Sequence, residues 1–117
     1  MIQTHATARE TVVSLIDALN AEKFDEARLL AHDDMQFAGA MGTRDGAEAY
    51  FSDMRRMKLK YAVQKTFVES DDVCLVYELR IDGKEIPCVG LYHVRDGKVD
   101  SLRAIFDPRP LLKDGKS

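Results

Sequence analysis

The sequence predicts an α+β domain in which helices come first and an antiparallel sheet follows. Apolar residues recur at helical spacing in three stretches up to residue 54 and alternate with polar residues from Leu59 onward. Two Asp-Gly pairs interrupt the second part of the chain, as tight turns between strands do. A doubly wound sheet would alternate helices with strands along the chain, so this order excludes it. With 117 residues, 45% of them hydrophobic, we expect one domain over residues 1–117 with a loose tail at 108–117.

Two helices are predicted at the start of the chain. The first begins at a capping box formed by Thr7 and Glu10 and ends at Asn20. The second is closed by His32-Asp33-Asp34, because a histidine suits the negative end of a helix dipole. Their buried faces carry apolar residues at helical spacing: Val12, Leu15, Ile16 and Leu19 in the first, and Phe24, Ala27, Leu30 and Ala31 in the second.

A third helix and a meander of strands complete the predicted fold. After a short strand at 35–39 and a loop, Asp45 and Glu48 mark the start of a helix. The apolar residues that this helix buries are Ala47, Tyr50, Phe51 and Met54. Strands follow from residue 59 and over 73–81, 86–94 and 99–106. Asp82-Gly83 and Asp96-Gly97 are signals for tight two-residue turns, so the last three strands are antiparallel.

Side chains alternate across a strand, and this alternation divides the sheet into two faces. We expect the face with the larger number of apolar side chains to pack against the helices. Gly39, Gly90 and Ala104 lie on that side and leave room for a mostly apolar cavity. The residues predicted to line the cavity are Met35, Phe37, Tyr50, Leu75, Tyr77, Cys88, Tyr92 and Phe106.

The opposite face of the sheet mixes polar side chains with an apolar patch. All three helices are committed to the first face, so a second copy of the sheet would cover this patch most simply, and we predict a homodimer. The alternative is a monomer with scattered surface aliphatic side chains. The predicted interface consists of Val76, Val89, Leu91, His93, Arg103 and Ile105.

Composition and spacing argue against several classes of protein. The net charge is −3, and basic residues are spread along the chain without an aromatic platform, so we expect no nucleic-acid partner. No apolar run reaches the roughly 18 residues of a membrane span, and the first ten residues lack the apolar segment of an export signal. Cys74 and Cys88 lack metal-binding spacing and suggest a reducing compartment, so we expect a cytoplasmic protein without a metal or cofactor.

The chain resembles SnoaL-like members of the nuclear-transport-factor-2-like superfamily, which also includes the ketosteroid isomerases. The segments that carry the resemblance are Asp17-Ala18-Leu19-Asn20-Ala21, Ala31-His32-Asp33-Asp34, Gly46, Asp96-Gly97-Lys98-Val99 and Arg103-Ala104-Ile105-Phe106-Asp107-Pro108. The resemblance implies a cystatin-like, cone-shaped α+β barrel in which three helices pack on the concave face of a curved, mostly antiparallel sheet. It also implies an apolar pocket, frequent dimers, and activities that range from isomerase and cyclase to plain binding.

The catalytic positions of the enzymes in this superfamily are not matched by this sequence. The base of the ketosteroid isomerases falls at Gly39, their helix tyrosine at Leu15 and their sheet acid at Tyr92. The polar positions on the last strand of SnoaL-type cyclases are Leu102 and Ala104 here. The resemblance therefore does not establish an enzymatic activity.

Three functions remain open from the sequence. The first is a binding protein for a small apolar or amphipathic organic molecule. The second is a small enzyme of isomerase, cyclase or hydrolase type that uses Tyr92 and Asp107, for which Asp107 must lie at the mouth of the cavity rather than serve only as a turn residue. The third is a dimeric interaction module that uses the outer sheet face. His32, Asp33 and Asp34 could be read as a metal cluster, but a helix end followed by solvated acids is the simpler interpretation.

Overall fold

The computed structural model describes residues 7–112, in which helices alternate only briefly with strands before a continuous meander begins. The helices are α1 (Ala8–Asn20), α2 (Phe24–Arg28), α3 (Ala47–Met57) and the short α4 (Arg109–Leu112). The strands are β1 (Ala31–Gly39), β2 (Gly42–Asp45), β3 (Lys60–Glu69), β4 (Asp72–Ile81), β5 (Lys84–Arg95) and β6 (Lys98–Phe106). Helix α4 falls in the predicted tail, and residues 113–117 of that tail lie outside the described part of the chain.

The six strands form one sheet in the order β2-β1-β6-β5-β4-β3. Every neighbouring pair is antiparallel except β1 and β6, which run parallel. The sheet is curved and does not close, so β2 and β3 are its edges, and the helices pack against it. The predicted α+β class and the mostly antiparallel sheet are confirmed, although the sheet remains open. Within residues 7–112, no helix is long and apolar enough to cross a membrane.

The two predicted tight turns are present and connect β4 to β5 and β5 to β6. Asp82 and Gly83 have φ values of 50° and 77°, and Asp96 and Gly97 have values of 54° and 78°. Positive φ at both central residues is the geometry of the turn that matches the twist of a hairpin, and Asp-Gly tolerates it well. These turns fix the register of β4, β5 and β6.

Burial alternates along β4 and β5 as the sequence predicts. The odd-numbered residues of β4 from Val73 to Leu79 are buried, and so are the even-numbered residues of β5 from Ile86 to Val94. With the exception of Ile86, their apolar side chains form one core with the buried apolar side chains of α1 and α3, which are Val12, Leu15, Ile16 and Leu19 in α1 and Ala47, Tyr50, Phe51 and Met54 in α3. The inner face of the sheet is therefore the one that faces the helices.

Helix α1 is fixed at both of its ends by side-chain hydrogen bonds. At the start, the predicted capping box forms, because Thr7 Oγ1 accepts from the Glu10 amide and Glu10 accepts from the Thr7 amide. At the end, Asn20 Nδ2 donates to the Tyr61 carbonyl at 3.0 Å, and the Tyr61 amide donates to Asn20 Oδ1 at 2.7 Å. The Asn20 side chain thus satisfies the backbone amide and carbonyl of Tyr61 on edge strand β3.

The prediction that His32-Asp33-Asp34 closes the second helix is wrong. Helix α2 ends at Arg28, and the tripeptide lies within β1. The backbone of Leu30 and Ala31 is drawn into the sheet by β6, since the Val99 amide donates to the Leu30 carbonyl at 2.8 Å and Ala31 is paired with Val99. This parallel pairing joins segments nearly seventy residues apart, so no local pattern signals it.

The start of the third helix also differs from the prediction. Gly46 is the N-cap, with φ of 97°, and no side chain caps the helix. Asp45 bonds instead to Gln36 across the β1–β2 hairpin, and Glu48 pairs with Arg28 at 2.9 Å. The segment predicted as a loop contains β2, whose four residues are all exposed and therefore show no alternation.

Candidate functional site

A cleft of about 310 Å³ opens between α3, the β1–β2 hairpin and the inner face of the sheet. This volume lies at the lower end of the range of about 300–1,000 Å³ that is typical of ligand sites. Most of its lining is aromatic or aliphatic. The lining residues on the strands are Phe37, Gly39, Gly42, Thr43, Arg44, Tyr61, Tyr77, Leu79, Ile81, Leu102, Ala104 and Phe106. The others are Met41, Tyr50, Asp53, Met54, Arg56, Met57, Leu59 and Leu111.

Half of the eight residues predicted for a cavity line this cleft. Phe37, Tyr50, Tyr77 and Phe106 do so. The remaining four, Met35, Leu75, Cys88 and Tyr92, are buried in the core and do not border the cleft. All eight belong to or pack against the core, but alternation along a strand gives only the face of a side chain. It does not tell whether a helix covers that side chain.

The two glycines that were expected to leave room on the inner face do not leave it empty. A Cβ atom on Gly90 would lie 2.5 Å from Tyr77 Oη and 2.8 Å from Tyr92 Cε1. A Cβ atom on Gly39 would lie 2.7 Å from Cζ of the Phe37 ring. The space above each glycine is filled by aromatic rings, so the glycines permit close aromatic packing. Gly39 still borders the cleft, whereas Gly90 does not.

All four tyrosines of the chain are gathered beside this cleft. Tyr61 and Tyr77 meet edge to face with ring centroids 5.1 Å apart, and the hydroxyl oxygens of Tyr77 and Tyr92 are 3.1 Å apart. The Tyr61 hydroxyl donates to Met54 Sδ at 3.5 Å. Burial raises the pKa of Tyr50, Tyr61, Tyr77 and Tyr92 well above that of a solvated phenol. The phenols are therefore neutral hydrogen-bonding groups at physiological pH, not bases.

The charged side chains of the cleft lie together at its mouth, and we call Arg44, Asp53 and Arg56 the mouth cluster. Arg44 Nε lies 2.7 Å from Asp53 Oδ2, and Arg56 Nη2 lies 3.1 Å from Asp53 Oδ1. Partial burial raises the pKa of Asp53, but the hydrogen bonds and charges of the two guanidinium groups outweigh it and leave the pKa below its usual value. Asp53 is therefore an ionised, doubly paired carboxylate.

Sequence reasoning missed Tyr61 and the mouth cluster. Tyr61 is the inner-face residue of β3 directly opposite Leu79, so the alternation of β3 contained the signal. Arg44 lies directly opposite Phe37 on β2, which places it on the inner face. No pattern in the exposed tetrapeptide of β2 shows this, because its position depends on the hairpin with β1.

The two candidate catalytic residues do not meet at the cleft. Tyr92 is 1% exposed and lies behind Tyr77, and it does not border the cleft. Asp107 is exposed beyond the end of β6, where its carboxylate accepts hydrogen bonds from Arg109, which hold its pKa below the usual value. Neither residue is placed to exchange a proton with a molecule in the cleft.

The His32-Asp33-Asp34 segment is occupied by ion pairs and hydrogen bonds at the surface. Arg28 pairs with Asp33 at 2.7 Å, and Arg95 lies 3.4 Å from Asp34. His32 Nε2 hydrogen-bonds the Arg95 carbonyl at 2.6 Å. Over residues 7–112, no group of three or more His, Cys, Asp or Glu side chains is arranged to hold a metal ion.

The outer face of the sheet carries apolar side chains in two adjacent rows across four strands. Strand register places Val76, Val89 and Ile105 in one row, and Phe67, Cys74 and Leu91 in the next. We call these six residues the outer stripe. Four of the six residues predicted for an interface lie in the stripe: Val76, Val89, Leu91 and Ile105. Arg103 ends the second row, and His93 lies one row further on, 2.7 Å from Asp100.

Comparison with known structures reveals the same fold in several proteins. An NTF2-like protein of unknown function from Cytophaga hutchinsonii is 45% identical, with 96% of this chain and 100% of that chain covered and a TM-score of 0.92. An LEH-like epoxide hydrolase from M. tuberculosis is 21% identical over 87% of this chain and 84% of that chain, with a TM-score of 0.75. A cystatin fold protein from Novosphingobium aromaticivorans is 19% identical over 86% of this chain and 98% of that chain, with a TM-score of 0.77. The last two likenesses show the fold alone.

Sequence comparison leads to the same group of proteins. A search among curated proteins gave no significant match. The profile of the SnoaL-like domain matches residues 12–102, which run from within α1 to the middle of β6. The resemblance noted from the sequence is thereby confirmed, and the chain belongs to the SnoaL-like domain family.

Proposed function

We propose that this protein binds a small organic molecule in the cleft between α3 and the sheet. The observation that carries the proposal is the chemical character of the lining. It consists mainly of aromatic and aliphatic side chains, including three neutral tyrosines, and its charged side chains within residues 7–112 are those of the mouth cluster. Apolar walls with a few oriented polar groups are what a small-molecule site needs for affinity and orientation. Tyr50, Tyr61 and Tyr77 combine the two properties, since each has an apolar ring and a polar hydroxyl group.

The proposal is tested by measuring ligand-induced stabilisation and its dependence on an open cleft. A panel of naphthyl and decalin compounds raises the melting temperature of the wild type, because a ligand present at 100 times its Kd stabilises the folded state by about 2.7 kcal/mol. Ala104→Leu adds bulk to the lining and weakens binding measured by calorimetry. Ala62→Leu makes the same change at an exposed position outside the cleft and leaves binding unchanged.

Two results would count against binding in the cleft. The first is a melting temperature that stays constant across the panel. The second is equal loss of affinity in the Ala104→Leu and Ala62→Leu variants. The melting temperatures of the ligand-free variants show whether each one has folded, so that a loss of binding is not mistaken for a loss of structure.

A second proposal concerns the outer stripe, which we assign to contact with another copy of this chain. The stripe is a continuous apolar surface, and acidic Asp72 and Glu78 border it together with basic Lys65 and Arg103. When two copies of this face meet, acidic groups of each copy are available to basic groups of the other. A self-complementary twofold contact requires this.

Self-association is tested by replacing one exposed residue of the stripe. Leu91→Arg places a charge in its centre and converts a dimer to a monomer in sedimentation-velocity ultracentrifugation. Val63→Arg is the matched control, because Val63 is 43% exposed against 42% for Leu91 and lies on the other face, opposite Tyr77. A wild type that sediments as a monomer at high micromolar concentration would refute the dimer.

A further inference from the structure

The mouth cluster carries an excess of positive charge at the entrance of an otherwise apolar cleft. It contains two guanidinium groups and one carboxylate, so its net charge is +1 by this sum. Asp53 is the most enclosed member, with a side chain 20% exposed, and each of its two oxygens already faces one arginine. A positively charged ligand group would have to compete with two arginines for this carboxylate.

The arginines, in contrast, retain hydrogen-bonding capacity. Arg44 uses Nε for Asp53 and Nη1 for the Thr43 carbonyl at 3.1 Å, and Arg56 uses Nη2 for Asp53. A guanidinium group has five N–H donors in a planar fork, so both side chains have donors beyond these contacts. That fork matches the two oxygens of a carboxylate.

The position of Arg44 brings these donors next to the apolar lining. Arg44 lies opposite Phe37 in the β1–β2 hairpin, and the Phe37 ring packs on Tyr50 with centroids 5.3 Å apart. A molecule whose apolar body contacts Phe37 and Tyr50 therefore has its outer end beside Arg44. The charged group of such a molecule stays near solvent, where its desolvation cost is small.

We propose that the ligand is an amphipathic organic acid, with its apolar body in the cleft and its carboxylate on Arg44 and Arg56. This inference rests on the proposed binding function and adds the charge of the ligand. It also assigns a role to Asp53, whose carboxylate limits the positive charge at the mouth.

The inference is tested with three probes that share one apolar body and differ in the charge of the end group. They are 1-naphthylacetate, 2-(1-naphthyl)ethanol and 2-(1-naphthyl)ethylamine, with affinities measured by calorimetry at low salt. We expect the acid to bind about fivefold tighter than the alcohol, which corresponds to about 1 kcal/mol and is the upper end of the range for a partly exposed ion pair. The amine is expected to bind more weakly than the alcohol.

Variants of the mouth cluster move this preference in opposite directions. Arg44→Gln lowers the acid-to-alcohol affinity ratio to about one, whereas Asp53→Asn raises it, because a negative charge facing the carboxylate is removed. Arg55→Gln is the matched control for Arg44→Gln: both side chains are 48% exposed and both arginines pair with an aspartate, but Arg55 pairs with Asp25 outside the cleft. A loss of packing alone would weaken all three probes equally in both cleft variants.

The outcomes distinguish a failure of the acid assignment from a failure of the proposed binding function. Binding of the alcohol at the same affinity as the acid, or a preference for the amine, overturns the acid assignment and leaves the binding function intact. An Arg55→Gln variant that loses as much preference as Arg44→Gln also overturns it, and so does an Asp53→Asn variant whose ratio falls. Failure of all three probes to bind overturns both proposals.

Discussion

The hydroxyl oxygens of Tyr77 and Tyr92 lie 3.1 Å apart above Gly90, the residue of β5 between Cys88 and Tyr92 on the inner face. Strand register explains this arrangement, since Leu75 is paired with Gly90, Tyr77 with Cys88 and Val73 with Tyr92. The two tyrosines approach each other diagonally across a position that has no side chain. Glycine at residue 90 therefore allows a buried hydrogen bond that a larger residue would prevent.

Gly90→Ala is expected to destabilise the fold by about 1–3 kcal/mol, as an overpacked core site does. The added Cβ atom would lie 2.5 Å from Tyr77 Oη, closer than any van der Waals contact allows. Urea unfolding measures the effect. The double variant Gly90→Ala with Tyr77→Phe removes the nearest atom and recovers part of the stability. A single variant as stable as the wild type would contradict this packing.

Tyr92→Phe is expected to lower stability by about 1 kcal/mol, because it removes one partner of the buried hydroxyl pair. The same change leaves the affinity of 2-(1-naphthyl)ethanol within about twofold, since Tyr92 does not border the cleft. Tyr77→Phe serves for comparison, because Tyr77 does border it. If a substrate is found and its turnover is abolished in a folded Tyr92→Phe variant, Tyr92 acts in catalysis and this placement is contradicted.

Asn20→Ala is expected to destabilise the fold by about 1–3 kcal/mol, because it deletes two hydrogen bonds to the backbone of Tyr61. Asn20→Asp is the informative companion, since a carboxylate still accepts from the Tyr61 amide but cannot donate to its carbonyl. Hydrogen exchange of the Tyr61 amide measured by NMR reports on this contact directly. Unchanged exchange in Asn20→Ala would show that solvent or another group replaces the side chain without loss.

His93 is expected to titrate above its ordinary pKa near 6.5, because it hydrogen-bonds Asp100 at 2.7 Å and also lies near Asp72 and Asp71. A raised pKa in the folded state means that protonated His93 stabilises the protein below the unfolded pKa. This contribution disappears as the pH rises through the folded pKa. The NMR titration of the His93 ring protons gives the midpoint.

Two aspartate variants test the cause of the shift. Asp100→Asn removes the hydrogen-bonded carboxylate and moves the His93 midpoint down toward its ordinary value. Asp96→Asn changes a carboxylate in the nearby β5–β6 turn and leaves the midpoint unchanged. A midpoint that responds equally to both variants would assign the shift to general surface charge instead of to Asp100.

The inner and outer faces of β4 and β5 could be predicted from sequence because each is fixed by local information. The turns at Asp82-Gly83 and Asp96-Gly97 determine register, and the period of two then assigns every side chain between them. Tyr77 and Tyr92 were placed correctly on the inner face for this reason. Which of them reaches the cleft depends on the position of the helices above the sheet, which periodicity does not encode.

The errors concern segments whose structure depends on distant partners. The local sequence of His32-Asp33-Asp34 is typical of a helix end, but the pairing of β1 with β6 makes this segment part of a strand. Arg44 reads as a loop residue because β2 is short and exposed, and its inner-face position follows only from its pairing with Phe37. Asp53 shows no signal at all in the sequence, since a charged residue on an amphipathic helix is usually solvated. The mouth cluster therefore exists only in the folded protein, where β2 and α3 bring its three side chains together.

The parallel pairing of β1 with β6 has a consequence for the order of folding during synthesis. Phe37 is paired with Leu102, so one long side of β1 has no partner until the last strand of the sheet has been made. Contacts between residues so far apart in sequence form slowly, because closing the intervening loop costs entropy before any contact is gained. A nascent chain that ends before Lys98 leaves open edges on both β1 and β5, and its wall of the cleft from Leu102 to Phe106 is still missing.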